Sequence, residues 1–325
     1  MTTLLKVRAA FALLVWLAAA CAWAQEPFPS RAVKLVVPFT PGTGIDILAR
    51  TLGQKLGDDW KVAVVVDNRP GASGNIGTEA VAKSTPDGYT LLTTANTIVL
   101  NRSLFATIPY DPIKDFAPVA PLAIGRLALV VHPSLNVKTV AELIAVAKAN
   151  PGKLNYASPG NGTPHHLAME LFKSKAGISI VHVPYKGSAQ AVQDLLGGQV
   201  GVMFLPVHVA LPQVEGGKLV MLAAGGAERS SATPNVPSLA EAAGIRDIDT
   251  DIWYGLYAPA KTPAAIVDRI NADVNRLLKL PDVADTLAKQ GLQPTGGPPA
   301  ALEQLTRADL ERWAVVVREA KIQAD

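Results

Sequence analysis

Four glycine-rich turns are the parts of this chain best equipped for chemistry: Pro41-Gly42-Thr43-Gly44, Pro70-Gly71-Ala72-Ser73-Gly74-Asn75, Ser158-Pro159-Gly160-Asn161-Gly162-Thr163 and Lys186-Gly187-Ser188. Each follows an apolar, β-branched run and precedes a stretch of helical periodicity. Each therefore predicts a strand-to-helix turn whose backbone N–H groups can face an anion. A helix N-terminus favours negative charge by about 0.3–1 kcal/mol, and up to about 2 kcal/mol when partly buried. Several such turns converging from two sides would hold a carboxylate without an arginine. The plain alternative is that they are only tight turns, the usual work of glycine.

Catalytic equipment is scarce. No Gly-x-Ser-x-Gly elbow occurs, so a serine hydrolase has no nucleophile turn. Gly42-Thr43-Gly44-Ile45-Asp46-Ile47 begins like a dinucleotide fingerprint, but Ile47 takes the third glycine position and no Lys-Ser/Thr follows. His165 and His166 are adjacent, so on a helix they point about 100° apart and cannot share a metal as an i, i+4 pair does. His132, His182 and His208 have no carboxylate at ligand spacing. All five histidines read as surface or hydrogen-bonded structure, and no metal or cofactor is expected. Asp46 and Arg50 stand at i, i+4, ordinary support for a helix start, with ligand or water contact by Asp46 the alternative. Thr163 is a natural N-cap, and Lys186 either attracts a carboxylate or is solvated. Trp253 and Tyr254 either floor a cleft or fill a core.

These turns need strands and helices to hold them, and beyond residue 30 short apolar runs alternate with longer helical patterns, which predicts an α/β fold with mainly parallel sheets. Strands are expected over Lys34 to Phe39, Val62 to Val66 and Tyr89 to Thr94, with helices over Ile45 to Leu56 and Ile76 to Ala82. A Pro-rich stretch, Pro109 to Pro121, separates this lobe from a second. There, strands over Leu127 to Val131, Leu154 to Ala157, Ile180 to Val183 and Val200 to Phe204 alternate with helices over Val140 to Ala149, His165 to Ala176 and Ala189 to Leu196. A short strand, Trp253 to Tyr257, and two or three helices follow. Two passages between the lobes, near 121–131 and 219–228, predict a hinge. The expected division is 1–24 for a signal peptide, 25–126 for the first lobe, 127–224 for the second, and 225–325 for a return to the first.

The opening segment carries Lys6 and Arg8, an apolar run from Ala9 to Ala20 and then Ala22-Trp23-Ala24. That run is about twelve residues, short of the roughly 20 a membrane helix needs, and predicts a secretory signal cleaved after Ala24. Lipidation at Cys21 is disfavoured, because Ala18 stands where such signals usually have Leu. Cleavage removes the one cysteine and leaves 28 basic against 27 acidic residues. A nearly neutral, cysteine-free chain has no global field for nucleic acid or anionic lipid, and no disulfide, thiolate metal site or cysteine nucleophile.

The segments Val36-Val37-Pro38-Phe39-Thr40-Pro41-Gly42-Thr43-Gly44-Ile45-Asp46, Asp67-Asn68-Arg69-Pro70-Gly71-Ala72-Ser73-Gly74-Asn75, Pro86-Asp87-Gly88-Tyr89-Thr90, Pro109-Tyr110-Asp111-Pro112, His182-Val183-Pro184-Tyr185-Lys186-Gly187-Ser188 and Asp194-Leu195-Leu196-Gly197-Gly198-Gln199 occur in this order along the chain. The set resembles the Bug family, receptors of tripartite tricarboxylate transporters. The resemblance implies a type II periplasmic binding fold of two lobes and a cleft, a monomer expected to hand a small carboxylate to one large and one small integral membrane subunit. Its binding loops map to Phe39 through Asp46, to Ser158 through Thr163 with Asn161 and Gly162, and to Tyr185 through Ser188 with Lys186 and Gly187. It also implies that the C-terminal helices pack on the first lobe.

Three positions depart from the family pattern. Thr43 adds a hydroxyl and Ile45 removes one, while Leu205-Pro206 stands where Asp-Asn is common. Losing a carboxylate near Leu205 turns the expected ligand from an amino acid toward a dicarboxylate or aromatic acid. A receptor docking on a histidine kinase, and more remotely a hydrolase, are the other classes compatible with the scaffold.

Overall fold

The computed structural model describes residues 28–230, 232–246, 248–319 and 322; the signal segment with Cys21 lies outside them. The first lobe opens with β1 (Val33–Val37), α1 (Gly44–Trp60), β2 (Val64–Asn68), α2 (Asn75–Ala82), β3 (Thr90–Ala95), α3 (Thr97–Leu104) and β4 (Phe116–Gly125). The second comprises β5 (Leu127–Val131), α4 (Val140–Ala149), β6 (Asn155–Ser158), α5 (Pro164–Ala176), β7 (Val181–Pro184), α6 (Ser188–Leu196), β8 (Val202–Pro206), α7 (Val207–Glu215) and β9 (Val220–Ala224). Then follow α8 (Leu239–Ala243), β10 (Ile252–Pro259), α9 (Ala264–Leu277), α10 (Pro281–Ala288), β11 (Leu292–Pro294) and α11 (Pro299–Glu319).

Two sheets result, ordered β11-β4-β10-β3-β1-β2 and β7-β6-β8-β5-β9. Both are mixed, where mainly parallel sheets were expected. β2-β1-β3 and β7-β6-β8 are parallel, but β10, β4, β11, β5 and β9 join antiparallel. The strands on either side of the inter-lobe passages cause this, since a chain leaving one lobe and returning must run against its neighbours. The first passage is one residue, Arg126, between β4 and β5; the second runs from Ala224 to Ile252. The chain after Gly225 stays at first with the second lobe, where α8 packs on α4 and β9.

Alternation along the strands divides each lobe into two apolar layers. In β8, Val202 and Phe204 face Leu143 and Phe172 of α4 and α5, while Met203 and Leu205 face Ala191, Leu195 and Ala210 of α6 and α7. In the first lobe α1, α9 and α10 cover one face, and α2, α3 and α11 the other. Helix α5 shows how sequence sets an end. Thr163 caps it, Pro164 occupies the first turn, and Gly177 closes it at φ 62°, a left-handed cap that glycine adopts freely.

Candidate functional site

A cleft of about 440 Å³ separates the lobes and is lined from both. That volume lies within the usual range for small-ligand sites. The carboxyl ends of β1, β3, β6 and β8 open on it, the place where an open α/β sheet leaves helix starts unpaired. Helices α1, α3, α6 and α7 begin there without a side-chain cap. Their first N–H groups have no intrahelical partner; that of Val207 in α7 donates to Arg126 O at 3.0 Å, and the starts of α1, α3 and α6 are left to face an anion.

Phe39, Gly42, Thr43 and Gly44 line the first-lobe wall. Asp46 does not. It is buried and accepts from Gly42 N–H at 2.9 Å, Asn68 Nδ2 at 2.9 Å and Arg50 Nε at 3.0 Å. Burial pushes its pKa up, but the bonds from Arg50, Gly42 and Asn68 outweigh that and hold the carboxyl below its usual range. Asp46 thus ties the loop shut from behind. Gly42, at φ 81°, takes the left-handed turn this requires.

In the second lobe Thr163 and Ser188 reach the cleft, with Pro159, Pro164 and His165 between them. Thr163 Oγ1 donates to Gly160 O at 2.7 Å and accepts from His166 N. Ser158 stays behind the wall, fully buried, with its Oγ 2.6 Å from His182 Nε2 and 3.0 Å from Gly160 O. Gly162 N–H donates to His166 Nδ1 at 3.1 Å. His166, His182 and Tyr156 form a parallel stack, and Tyr156 donates to Glu170 at 2.5 Å. These rings brace the turn rather than face the cleft. Asn161, Gly162, Lys186 and Gly187 belong to the two turns but not to the lining, and Lys186 is exposed.

Two predicted residues lie elsewhere. Leu205 packs in the α6–α7 core, and its neighbour Pro206 faces the cleft. Trp253 points into the opposite face of the first sheet, donating to Asp309 Oδ2 at 2.6 Å, while Ile252 and Tyr254 line the cleft. Both follow from the two-residue period of a strand.

Unanticipated lining comes from Arg126, His165, His208 and the Gln290–Leu292 turn. Arg126 had a signal, as the one charged residue in the run from Phe116 to Val131; the Gln290 turn had none. The lining contains no aspartate or glutamate among the described residues, and Arg126 is its one formal charge. Those residues hold no cluster able to bind a metal, and no helix among them is long and apolar enough to cross a membrane.

The family model for the tripartite tricarboxylate transporter receptor matches residues 47–322. The chain belongs to that family. It is a periplasmic solute-binding receptor rather than an enzyme. Protein BugT of Bordetella pertussis is 37% identical over 321 residues, 98% of each chain. Among solved structures, Rpa4515 of R. palustris with adipate superposes with a TM-score of 0.82 at 37% identity, covering 92% of this chain and all of that one. MatC of Rhodopseudomonas palustris with bound malate gives 0.78 at 31%, covering 89% and 100%.

Proposed function

We propose that this receptor captures a small organic acid without a cationic group, a dicarboxylate or aromatic acid in preference to an amino acid. It passes the ligand to a membrane transporter of one large and one small integral subunit, after secretion with cleavage behind Ala24. The observation that carries the reading is the cleft lining: four uncapped helix starts and no carboxylate. Helix starts attract an anion, whereas an α-ammonium group buried there would lack a partner and cost several kcal/mol. The apolar walls of Phe39, Ile45, Leu127 and Leu292 suit a hydrocarbon or ring. Relatives that hold adipate and malate support the same class. In this reading Phe39, Thr43, Gly44, Thr163 and Ser188 touch the ligand, while Gly42, Asp46, Ser158 and Gly162 shape the turns.

A thermal-shift screen across organic acids, followed by calorimetry, tests this. A ligand at 100 times its Kd stabilises the folded state by about 2.7 kcal/mol. Succinate-, adipate- or benzoate-type acids are expected to shift the melting point and aspartate and glutamate to leave it unchanged. Gly42→Asp and Thr163→Asp should each abolish the shift, with Gly42→Ala as the control for the φ of 81°. Tight aspartate or glutamate binding with none of the other acids would overturn the proposal.

A further inference from the structure

Arg126 is the single residue joining the two sheets at the first passage, and it stands where the cleft meets the hinge. Its side chain is 11% exposed, an expensive place for a guanidinium unless its donors are used. One terminal nitrogen pairs with Asp251, on the second passage. The other lies 3.3 Å from Glu228, a carboxylate 81% exposed to solvent, and such a pair contributes little. Nε is buried with no partner. Burial and then the charge of Asp249 push the Asp251 carboxyl up to about 7, against the pull of Arg126 and the Gly226 N–H. Close by, His208 Nδ1 is also buried without a partner, and Gln290 lines the same end. The hinge end of the cleft therefore carries a guanidinium whose Nε has no partner and whose outer nitrogen is held only by a weak pair with an exposed carboxylate.

We infer that Arg126 selects for a second anionic head, so that the ligand is a dianion with one carboxylate at the α5–α6 helix starts and the other against this guanidinium. The sheet order fixes the separation. Along the second-lobe edge the lining runs from Ser188 after β7, through Thr163 after β6 and Pro206 ending β8, to Leu127 opening β5. Two strand spacings from β6 to β5 make about 10 Å, a span that a short aliphatic dicarboxylate bridges with a hydrogen bond at each end. Arginine suits the task because its fork meets a carboxylate through two N–H groups. The inference rests on the proposal that this cleft binds carboxylates.

Calorimetric titration with succinate, glutarate, adipate and pimelate, each against the monocarboxylate of equal chain length, and with benzoate, tests it. The best dicarboxylate is expected to bind at least about tenfold tighter than its matched monoacid. In Arg126→Gln that preference collapses while the monoacid affinity stays within about twofold, and Arg126→Lys restores part of it. Glu228→Gln, which removes a competing anion outside the cleft, is expected to widen the preference severalfold. Equal affinities in the wild type, or a proportional loss of both acids in Arg126→Gln with no response to Glu228→Gln, would make Arg126 a hinge strut only and overturn the inference. If monoacids bind and dicarboxylates do not, the inference fails and the receptor reading stands. If no acid binds, the proposal that this cleft binds carboxylates itself falls.

Discussion

His166 shows how a residue unremarkable in sequence can govern a binding turn. It is 5% exposed, accepts from Gly162 N–H through Nδ1, stacks on His182 and lies 4.0 Å from Glu170, with Lys173 on the same carboxylate. Burial, reinforced by Lys173, lowers its pKa to about 4. The unfolded imidazole titrates near 6.5, so between pH 6.5 and 4 the unfolded chain binds a proton that the native chain refuses. Stability is therefore complete above about 6.5 and falls as the pH drops toward 4, by roughly 3 kcal/mol for this site. In His166→Gln, whose amide oxygen can still accept from Gly162, the acid limb of stability against pH should lose about one proton of slope. An unchanged limb in urea melts at pH 7, 6, 5 and 4 would refute this. Periodicity places Trp253 on a strand and ends another at Phe204, one residue before Leu205, but which strand face meets the cleft depends on the partner lobe, which one sequence does not contain. Leu205, a candidate for the ligand wall, and Trp253, for which sequence leaves cleft and core both open, each face a core.

At the scale of elements, strong amphipathic helices and β-branched runs are legible in sequence, while elements that carry proline or are very short are not. β4 carries Pro118 and Pro121, and proline argues against a paired strand. The strand tolerates them because β11 pairs only with Ala123 to Gly125, and because the register against β10 shifts around Pro121 and Pro118. Asn271 Nδ2 donates to Val119 O at 2.7 Å beside them. α7 contains Pro212 and α8 has five residues, so neither shows a helical period. α5, with Thr163 as the expected N-cap and its helical period over His165 to Ala176, is readable in sequence. Its cap is also the ligand-facing end, so Thr163→Ala should lower stability by about 1 kcal/mol and weaken carboxylate binding together. Thr163→Ser keeps both the donor to Gly160 and the acceptor for His166 N and should behave as wild type. Equal urea midpoints for the alanine and serine variants would show that the cap carries no weight.

For the whole molecule the open question in the sequence was how two lobes meet, because contacts across a hinge leave no periodicity. The structure locates two such contacts at glycines. A Cβ on Gly162 would lie 3.0 Å from Leu104 of the other lobe, and one on Gly291 would lie 2.5 Å from His208 Nδ1. A side chain at Gly291 forces His208 or the lobes to shift, since its Cβ would also meet His208 Cγ at 3.2 Å and Cβ at 3.3 Å. Gly291→Ala should therefore keep them apart, and a receptor whose competent state is populated a tenth as often binds about tenfold more weakly. The substitution also strains a backbone at φ 65°, a cost of roughly 1 kcal/mol. Gly244 separates the two effects. It has the same φ of 65° and open space around its Cβ position, so Gly244→Ala should lose similar stability yet bind adipate as wild type does. X-ray scattering should then show ligand-induced compaction in the wild type and Gly244→Ala but not in Gly291→Ala. Equal binding and compaction in all three would mean that the lobes close on the ligand without the Gly291–His208 contact.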